Sequence, residues 1–503
     1  MAESQLPVVV RADGATPAER YLQGLCERSF LSLWSYPSLF RDQRAGAKGD
    51  GKELCDLLVV FGDDILIFSD KSCAFPATGD TRLDWSRWFR KAIMKSAEQA
   101  WGAERWLREH RNRIFIDRAC VQPFPLDLPP ADRMRVHHIV VAHNVVNRCR
   151  AQFSGGSGSL IFNSDLTGGD HYADPKTCSP FEVGWLDDAR RFVHVLDDVA
   201  LEVVLRTQDT ITDFVGYLRA KEDLLQSLKE RGVRFFCAGE EELLAHYVTT
   251  MRDGGHAFDF PDGYNAISIP EGDWAEFQKS PERSAQLEAD RVSYCWDMLI
   301  EKFNANILGG TSYYTTNPRI AEREKILRFF AREPRTRRRL LADALLEIIG
   351  QTGPRQRGTR IMFPSNPGDP NYCFLALPKL PGQTYDEYRE VRRNLLMILC
   401  HVTKLTCPDA LDMVGLATET DISREVRSED ALYVDLRGWN EEMAEQARDW
   451  QRHHNLLTNL TKFEGKVSEY PERPPEVVVP GPNPRNKPCP CGSGKKYKKC
   501  HGR

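Results

Sequence analysis

Residues 52–71 constrain the fold more than any other stretch of this chain. They read Lys-Glu-Leu-Cys-Asp-Leu-Leu-Val-Val-Phe-Gly-Asp-Asp-Ile-Leu-Ile-Phe-Ser-Asp-Lys. Leu54 to Phe61 and Ile65 to Phe68 are apolar, β-branched-rich runs, and Gly62-Asp63-Asp64 supplies a turn, so the stretch predicts a tight β-hairpin. Both runs are apolar on both faces, which places the hairpin under helices on either side. A buried strand carries charge only where something compensates it. Yet Asp56 sits inside the first run, and Ser69, Asp70 and Lys71 end the second.

Register decides what these groups can do. A two- or four-residue loop puts Asp56 on the face that carries Ser69 and Lys71; a three-residue loop puts it opposite Asp70. Either way a carboxylate and an ammonium meet at the open end of a buried hairpin. Metal-assisted phosphodiester hydrolysis needs that pair: a carboxylate to hold Mg²⁺, and a lysine to position the attacking water or offset phosphate charge. The competing account is an internal Asp–Lys ion pair.

An acidic residue on one strand and a lysine ending the next, with a helix before and a helix after, resembles the PD-(D/E)XK nuclease superfamily, including Mrr-like restriction endonucleases. The resemblance covers about the first 150 residues. It implies a restriction-endonuclease-like core, with Asp56 as Mg²⁺ or Mn²⁺ ligand and Lys71 as the catalytic lysine. The family's second acid lies two residues before the lysine, where this chain has Ser69. Asp70 through an altered register, or Glu27 on the preceding helix, could supply that ligand; otherwise the site is degenerate.

Around the hairpin, Thr16 and Pro17 mark a helix start, and that helix runs to about Trp34 with Glu27 along it. A long helix is expected from Asp84 to about His110. Lys91, Lys95 and Gln99 fall at a spacing of four along it. In several nuclease families the helix after the lysine offers a Gln or basic residue to the site or the nucleic acid, a role that Lys95 and Gln99 match. Strands are expected at residues 113–121 and 135–146. The second holds His137, His138 and His143, of which His138 and His143 do not share a face; a general-acid role is a lesser alternative to ordinary sheet residues.

The chain has 503 residues, enough for two or three domains. A formal net charge of −4 excludes a global basic field, so nucleic acid would have to be met by local patches. No apolar run approaches the roughly 18 residues of a membrane span. The N-terminus lacks the basic start and apolar core of a secretory signal. Of the 14 cysteines, those through Cys407 are scattered singly and read as reduced thiols. A cytoplasmic protein is expected.

We expect an α/β fold, α+β overall: a nuclease-like domain over residues 1–165, a mixed region over 166–465, a Pro-rich linker over 466–488, and a small zinc module over 489–503. In the middle region helices are expected over 285–303 and 317–349. Asp290, Asp297 and Glu301 on the first, and Arg335, Arg337, Arg338 and Arg339 on the second, read as solvated charged faces.

The tail reads Pro488-Cys-Pro-Cys-Gly-Ser-Gly-Lys-Lys-Tyr-Lys-Lys-Cys-His501. Cys489, Cys491, Cys500 and His501 offer three thiolates and an imidazole, a tetrahedral zinc set. So short a module has no core, and metal binding must supply its folding free energy. The tail is similar to the SEC-C motif that ends the SecA translocation ATPase. That resemblance implies Zn²⁺ on those four residues and a module that contacts the chaperone SecB, ribosomes or acidic lipid. Lys487, Lys495, Lys496, Lys498, Lys499 and Arg503 suit an acidic protein or nucleic-acid partner. Two functions follow: a metal-dependent nuclease of DNA or RNA, by analogy in bacterial defence, or a non-enzymatic adaptor with a degenerate nuclease fold, docked on a ribosome or SecB-like chaperone by its tail.

Overall fold

A computed structural model of the chain describes residues 6–43, 51–252, 254–312, 319–366, 368–421, 427–462, 468–471 and 495–499. The fold is α+β, with helices packed on several mixed sheets.

Helix α1 (Pro17–Phe30) begins where the sequence places it. Thr16 and Glu19 exchange side-chain-to-backbone bonds in a capping box, and Pro17 takes the first helical position, where no N–H is needed. Strands β1 (Ser35–Asp42), β2 (Gly51–Phe61) and β3 (Asp64–Lys71) follow. Paired positions in the β2–β3 hairpin run from Phe61↔Asp64 to Leu57↔Phe68, which leaves a two-residue loop, Gly62-Asp63. Gly62 takes a φ of +61°, where a side chain would be strained. Continued by one step, this register sets Asp56 opposite Ser69, on the face of Lys71.

Next come α2 (Thr81–Phe89), a π-helical turn over Arg90–Met94, α3 (Lys95–Glu109), β4 (Ile114–Phe115), β5 (Arg135–Ala142) and α4 (Val146–Gln152). The single helix expected over 84–110 is therefore interrupted. A π turn holds an extra residue, so Lys91 is rotated out of line with Lys95 and Gln99. The strand expected over 113–121 shrinks to β4, because the Asp117 carboxylate accepts the N–H groups of Val121 and Gln122 and folds the chain into a turn. Then follow β6 (Ile161–Thr167), β7 (Glu182–Trp185), β8 (Val193–Asp197), α5 (Asp198–Thr207) and α6 (Ile211–Glu230). Asp197 accepts the N–H groups of Val199 and Ala200, so an N-cap hidden inside an apolar run divides strand from helix.

The principal sheet has the order β4-β1-β2-β3-β5-β8. Its first strands are antiparallel, whereas β5 and β8 run parallel to β3. It draws β8 from beyond the boundary expected at residue 165. Both faces are covered. On one, Phe68 meets Phe30 of α1, which meets Phe214 of α6. On the other, Val140 and Ala142 pack with Trp85, Ala92 and Ala97 of the α2–α3 region. Ser69 and Lys71 pair with Val140 and Ala142 in register, so they belong to the α2–α3 face.

Beyond it lie β9 (Arg234–Cys237), α7 (Glu240–Thr249), a ribbon of β10 (Met251–Arg252) and β11 (Gly255–His256), and β12 (Ala266–Ile269). A second sheet has the order β12-β9-β6-β7. Helices α8 (Asp273–Lys279), α9 (Pro281–Asp290), α10 (Tyr294–Leu308), α11 (Ile320–Ala331) and α12 (Arg335–Gln351) come next. The helix expected over 317–349 breaks before Pro334, which cannot continue it. A third sheet orders β13 (Gly358–Met362), β14 (Asn371–Leu377), β15 (Asp412–Glu419) and β16 (Asp430–Asp435), with α13 (Tyr385–Thr406) against it and α14 (Glu441–His454) packed on α13.

Of the two charged faces expected to be solvated, Asp290 and Asp297 are instead buried against Arg335, Arg338 and Arg339. Arg335 pairs with Asp209 and Asp297, both at 2.8 Å; Arg338 pairs with Asp297 at 2.7 Å; Arg339 pairs with Asp290 at 2.6 Å. Glu301 accepts the backbone N–H and the hydroxyl of Ser32, both at 2.6 Å. Among the described residues no helix is long and apolar enough to cross a membrane.

Candidate active site at the open end of the hairpin

Asp56 is 7% exposed. Its Oδ2 accepts the backbone N–H of Asp70 at 2.6 Å, a bond that ties the two strands where their paired positions end. Burial pushes its pKa up to about 7; the Asp70 N–H works against this, and the carboxylates of Glu53, Glu19 and Asp70 add to it. Asp56 is thus poised near neutrality, and a nearby cation would favour its charged form.

Ser69 is fully buried, and its hydroxyl has no hydrogen-bond partner among the described residues. Lys71 is half-buried and forms no ion pair among the described residues. The internal Asp56–Lys71 pair that the sequence allows is therefore not made. Lys71 acts nearby all the same. Burial and Glu19 raise the pKa of Glu53, while Arg118 and Lys71 lower it.

Asp70 lies on the opposite face of β3. Its Oδ1 sits 2.6 Å from Nε2 of His143, whose Nδ1 is 2.5 Å from Asp198 at the start of α5. Burial works to lower the His143 pKa, but Asp198 and Asp70 outweigh it and hold the imidazole charged up to about 10. The Asp70 carboxylate is turned away from Asp56. Glu27 is also engaged elsewhere, pairing with Arg11 at 3.0 Å and accepting from Gln23 at 3.0 Å. The α1 acid that acts on Asp56 is Glu19, one turn into the helix. Its capping role in the sequence concealed this second one.

Lys95 is exposed at the start of α3 and Gln99 is half-buried one turn later. His138 lies on the α3 face, 2.9 Å from Glu104. His143 is the group at this end that the sequence underrates. Its position directly after the apolar run of β5 marks it as a strand-end residue, but its partner Asp198 is 55 residues away.

The site thus gathers Asp56, Ser69 and Lys71 on one face at the strand ends, and Asp70, His143 and Asp198 on the other. Among the described residues Asp56 belongs to no group of three metal-ligating side chains. The tail ligands Cys489, Cys491, Cys500 and His501 lie outside the described residues. The adjoining lysines Lys495, Lys496, Lys498 and Lys499 are exposed, the last two in a 3₁₀ turn. The described cysteines, from Cys26 to Cys407, form no disulfide with one another.

Residues 485–503 match the SEC-C motif, a zinc-binding motif. The chain is similar in part to the protein translocase subunit SecA of several bacteria. It is 42% identical over 77 residues to that of Methylococcus capsulatus, covering 12% of this chain and 8% of the relative. It is 29% identical over 119 residues to that of Francisella tularensis subsp. novicida, covering 24% and 12%. With the Pelobacter propionicus protein it shares 45% identity over 62 residues, covering 12% and 6%. The chain thus spans about a tenth or less of the length of these relatives.

Proposed function

We propose that this chain is a divalent-metal-dependent nuclease whose C-terminal SEC-C module docks it on a partner. The observation that carries the reading is the open end of the hairpin. There a buried carboxylate, Asp56, and an ammonium, Lys71, share one face of the strands with no ion pair between them. The order of elements also supports it: a helix, three antiparallel strands, a helical segment, the two-residue edge strand β4, and a strand parallel to the third.

The residues present suit a hard cation in part. Asp56 offers a carboxylate oxygen, and Ser69 offers a buried hydroxyl without a hydrogen-bond partner among the described residues. When bound, Mg²⁺ or Mn²⁺ would supply positive charge at the phosphate and lower the pKa of water. The Asp70 N–H favours the charged form of Asp56, although burial pushes its pKa up to about 7. Lys71, unneutralised, is available to the phosphate oxygen on which charge develops. Lys95, exposed, and Gln99, half-buried one turn later on α3, would meet the nucleic-acid backbone. The zinc tail, with its row of exposed lysines, would bind an acidic partner: a ribosome, a chaperone or nucleic acid.

The second reading is an adaptor that has lost catalysis, docked by its tail. Ser69 favours it, because a hydroxyl is a weaker ligand than the acid expected there. Incubating purified full-length protein with DNA and with RNA in Mg²⁺ or Mn²⁺ separates the two. Cleavage that Asp56→Asn abolishes supports the nuclease. Intact nucleic acid under every metal, together with partner capture that is lost on deleting residues 485–503, leaves the adaptor.

A further inference from the structure

A separate cluster lies on the α1–α6 face of the same sheet. His137 on β5 and His194 on β8 project from one face, because Ile139 pairs with His194 and His137 stands two residues before it. Both imidazoles are buried. Glu222 of α6 reaches between them: its Oε1 is 2.8 Å from Nδ1 of His137 and 2.9 Å from Nε2 of His194. Among the described residues this is the one group of three His, Cys, Asp or Glu side chains whose ligand atoms all lie within 4.8 Å of one another.

We propose that His137, His194 and Glu222 form a site for a zinc-class divalent transition metal, independent of the SEC-C tail. The donor set is the two-histidine, one-carboxylate type that holds such ions with a position left open. A tetrahedral ion about 2.0–2.1 Å from each donor sets neighbouring donors roughly 3.3 Å apart. The two nitrogen–oxygen separations reach that value with shifts of a few tenths of an ångström. Glu222 is the partly exposed member, its side chain 29% accessible, so it marks the side from which an ion enters.

The surroundings suit a ligand set as well as a hydrogen-bonded one. The far nitrogen of His137, Nε2, makes no hydrogen bond among the described residues and faces Oδ1 of Asp64 at 3.7 Å. Asp64 is in turn held by Arg219 and by Arg135, the latter at 3.3 Å. A metal-bound imidazole that offers its other N–H to an anchored carboxylate is the usual outer arrangement of such sites. Without an ion, two imidazoles must share one carboxylate oxygen, and Nδ1 of His194 is left buried without a partner among the described residues.

The test uses full-length protein carrying Cys491→Ser and Cys500→Ser, so that the tail no longer competes. After chelator treatment the protein is dialysed against Zn²⁺ or Co²⁺, and bound metal is measured per chain. About one equivalent is expected, with a Co²⁺ spectrum that lacks thiolate charge-transfer bands. Glu222→Gln and His194→Ala should each remove it. Asp64→Asn, which touches no ligand atom, should weaken it about 10- to 100-fold. Circular dichroism on each variant checks folding. Should the tail-silenced protein bind neither metal, the proposal fails, whatever the variants do. Folded Glu222→Gln protein that binds metal as tightly as its parent also overturns it.

Discussion

On α12 the buried guanidinium groups of Arg335, Arg338 and Arg339 each meet a carboxylate; at the open end of the hairpin a buried carboxylate meets no cation among the described residues. The first arrangement is closed. Arg338, which is 0% exposed, gives one nitrogen to Asp297 and the others to the backbone carbonyls of Glu333 and Ala331. The second is open: among the described residues Asp56 accepts a single backbone N–H, the Ser69 hydroxyl has no partner, and Lys71 forms no ion pair. Charge that serves the fold is matched inside the fold. Charge left unmatched at a strand end is where a ligand has something to add.

The largest expected effect comes from breaking the closed set. Arg338→Ala strands the Asp297 carboxylate, which retains only Arg335, and orphans two carbonyls. A loss of about 3–5 kcal/mol of stability is expected, the range for removing one partner of a buried pair, read from urea or thermal unfolding. A change near zero would mean that this network is solvated after all.

Asp56→Asn should do the reverse. Folded Asp56 holds its proton to about pH 7, against an ordinary value of 3.8. Between those values the folded chain binds more protons than the unfolded one, so the wild type loses stability as pH rises through the window. Asparagine does not titrate and can still accept the Asp70 N–H. The variant should therefore match the wild type near pH 4 and exceed it at pH 8, by on the order of a few kcal/mol. Asp197, also pushed up to about 7 by burial, titrates in both proteins and cancels from the difference. A stability difference that is flat with pH would show that Asp56 is ionised throughout.

How much of this was legible in the sequence depends on how far apart the partners lie. The hairpin, its two-sided burial and the start of α1 rest on neighbours within a few residues, and the structure carries each of them. Register was legible only as alternatives, since one residue of loop length moves Asp56 from the face of Ser69 to that of Asp70. The two-residue loop settles that choice of face. The arginine network was not legible. Its partners are separated by 38 to 126 residues, and each helix inspected alone looks like a solvated face. The same distance hid the pairing of His143 with Asp198 and of His194 with His137. The break at Pro334 was written in the sequence but outweighed by helical periodicity on both sides. The π turn at Arg90–Met94 has no such local mark.

On the Asp70 face of β3, His143→Gln should act more weakly than either change above. His143 is charged up to about pH 10 when folded, against an ordinary 6.5. Its contribution is therefore fully present below about pH 6.5 and fades as pH rises toward 10. Because water reaches Asp198, the loss at pH 6 should be on the order of 1–2 kcal/mol, shrinking at pH 9. A loss that grows with pH would have the wrong sign for a histidine held between two carboxylates.

The smallest effect on stability should belong to the residue with the largest proposed effect on chemistry. Lys71 is half-buried, ends its strand and forms no ion pair among the described residues, so its ammonium has no fixed internal anion to strand. Lys71→Ala should shift unfolding by less than about 0.5 kcal/mol, as for a surface change away from any network. If the hairpin end is a nuclease site, the same variant removes preorganised positive charge from the phosphate, a loss on the order of a hundredfold or more in cleavage rate. Lys71→Arg keeps the charge but changes its shape and reach, and should recover only part of that rate. The two measurements together are what make the comparison with Arg338 decisive. One cation should matter to the fold, the other to turnover. A Lys71→Ala protein that unfolds like the wild type and cleaves as fast would remove Lys71 from the site. One that loses several kcal/mol would place it among the structural charges instead.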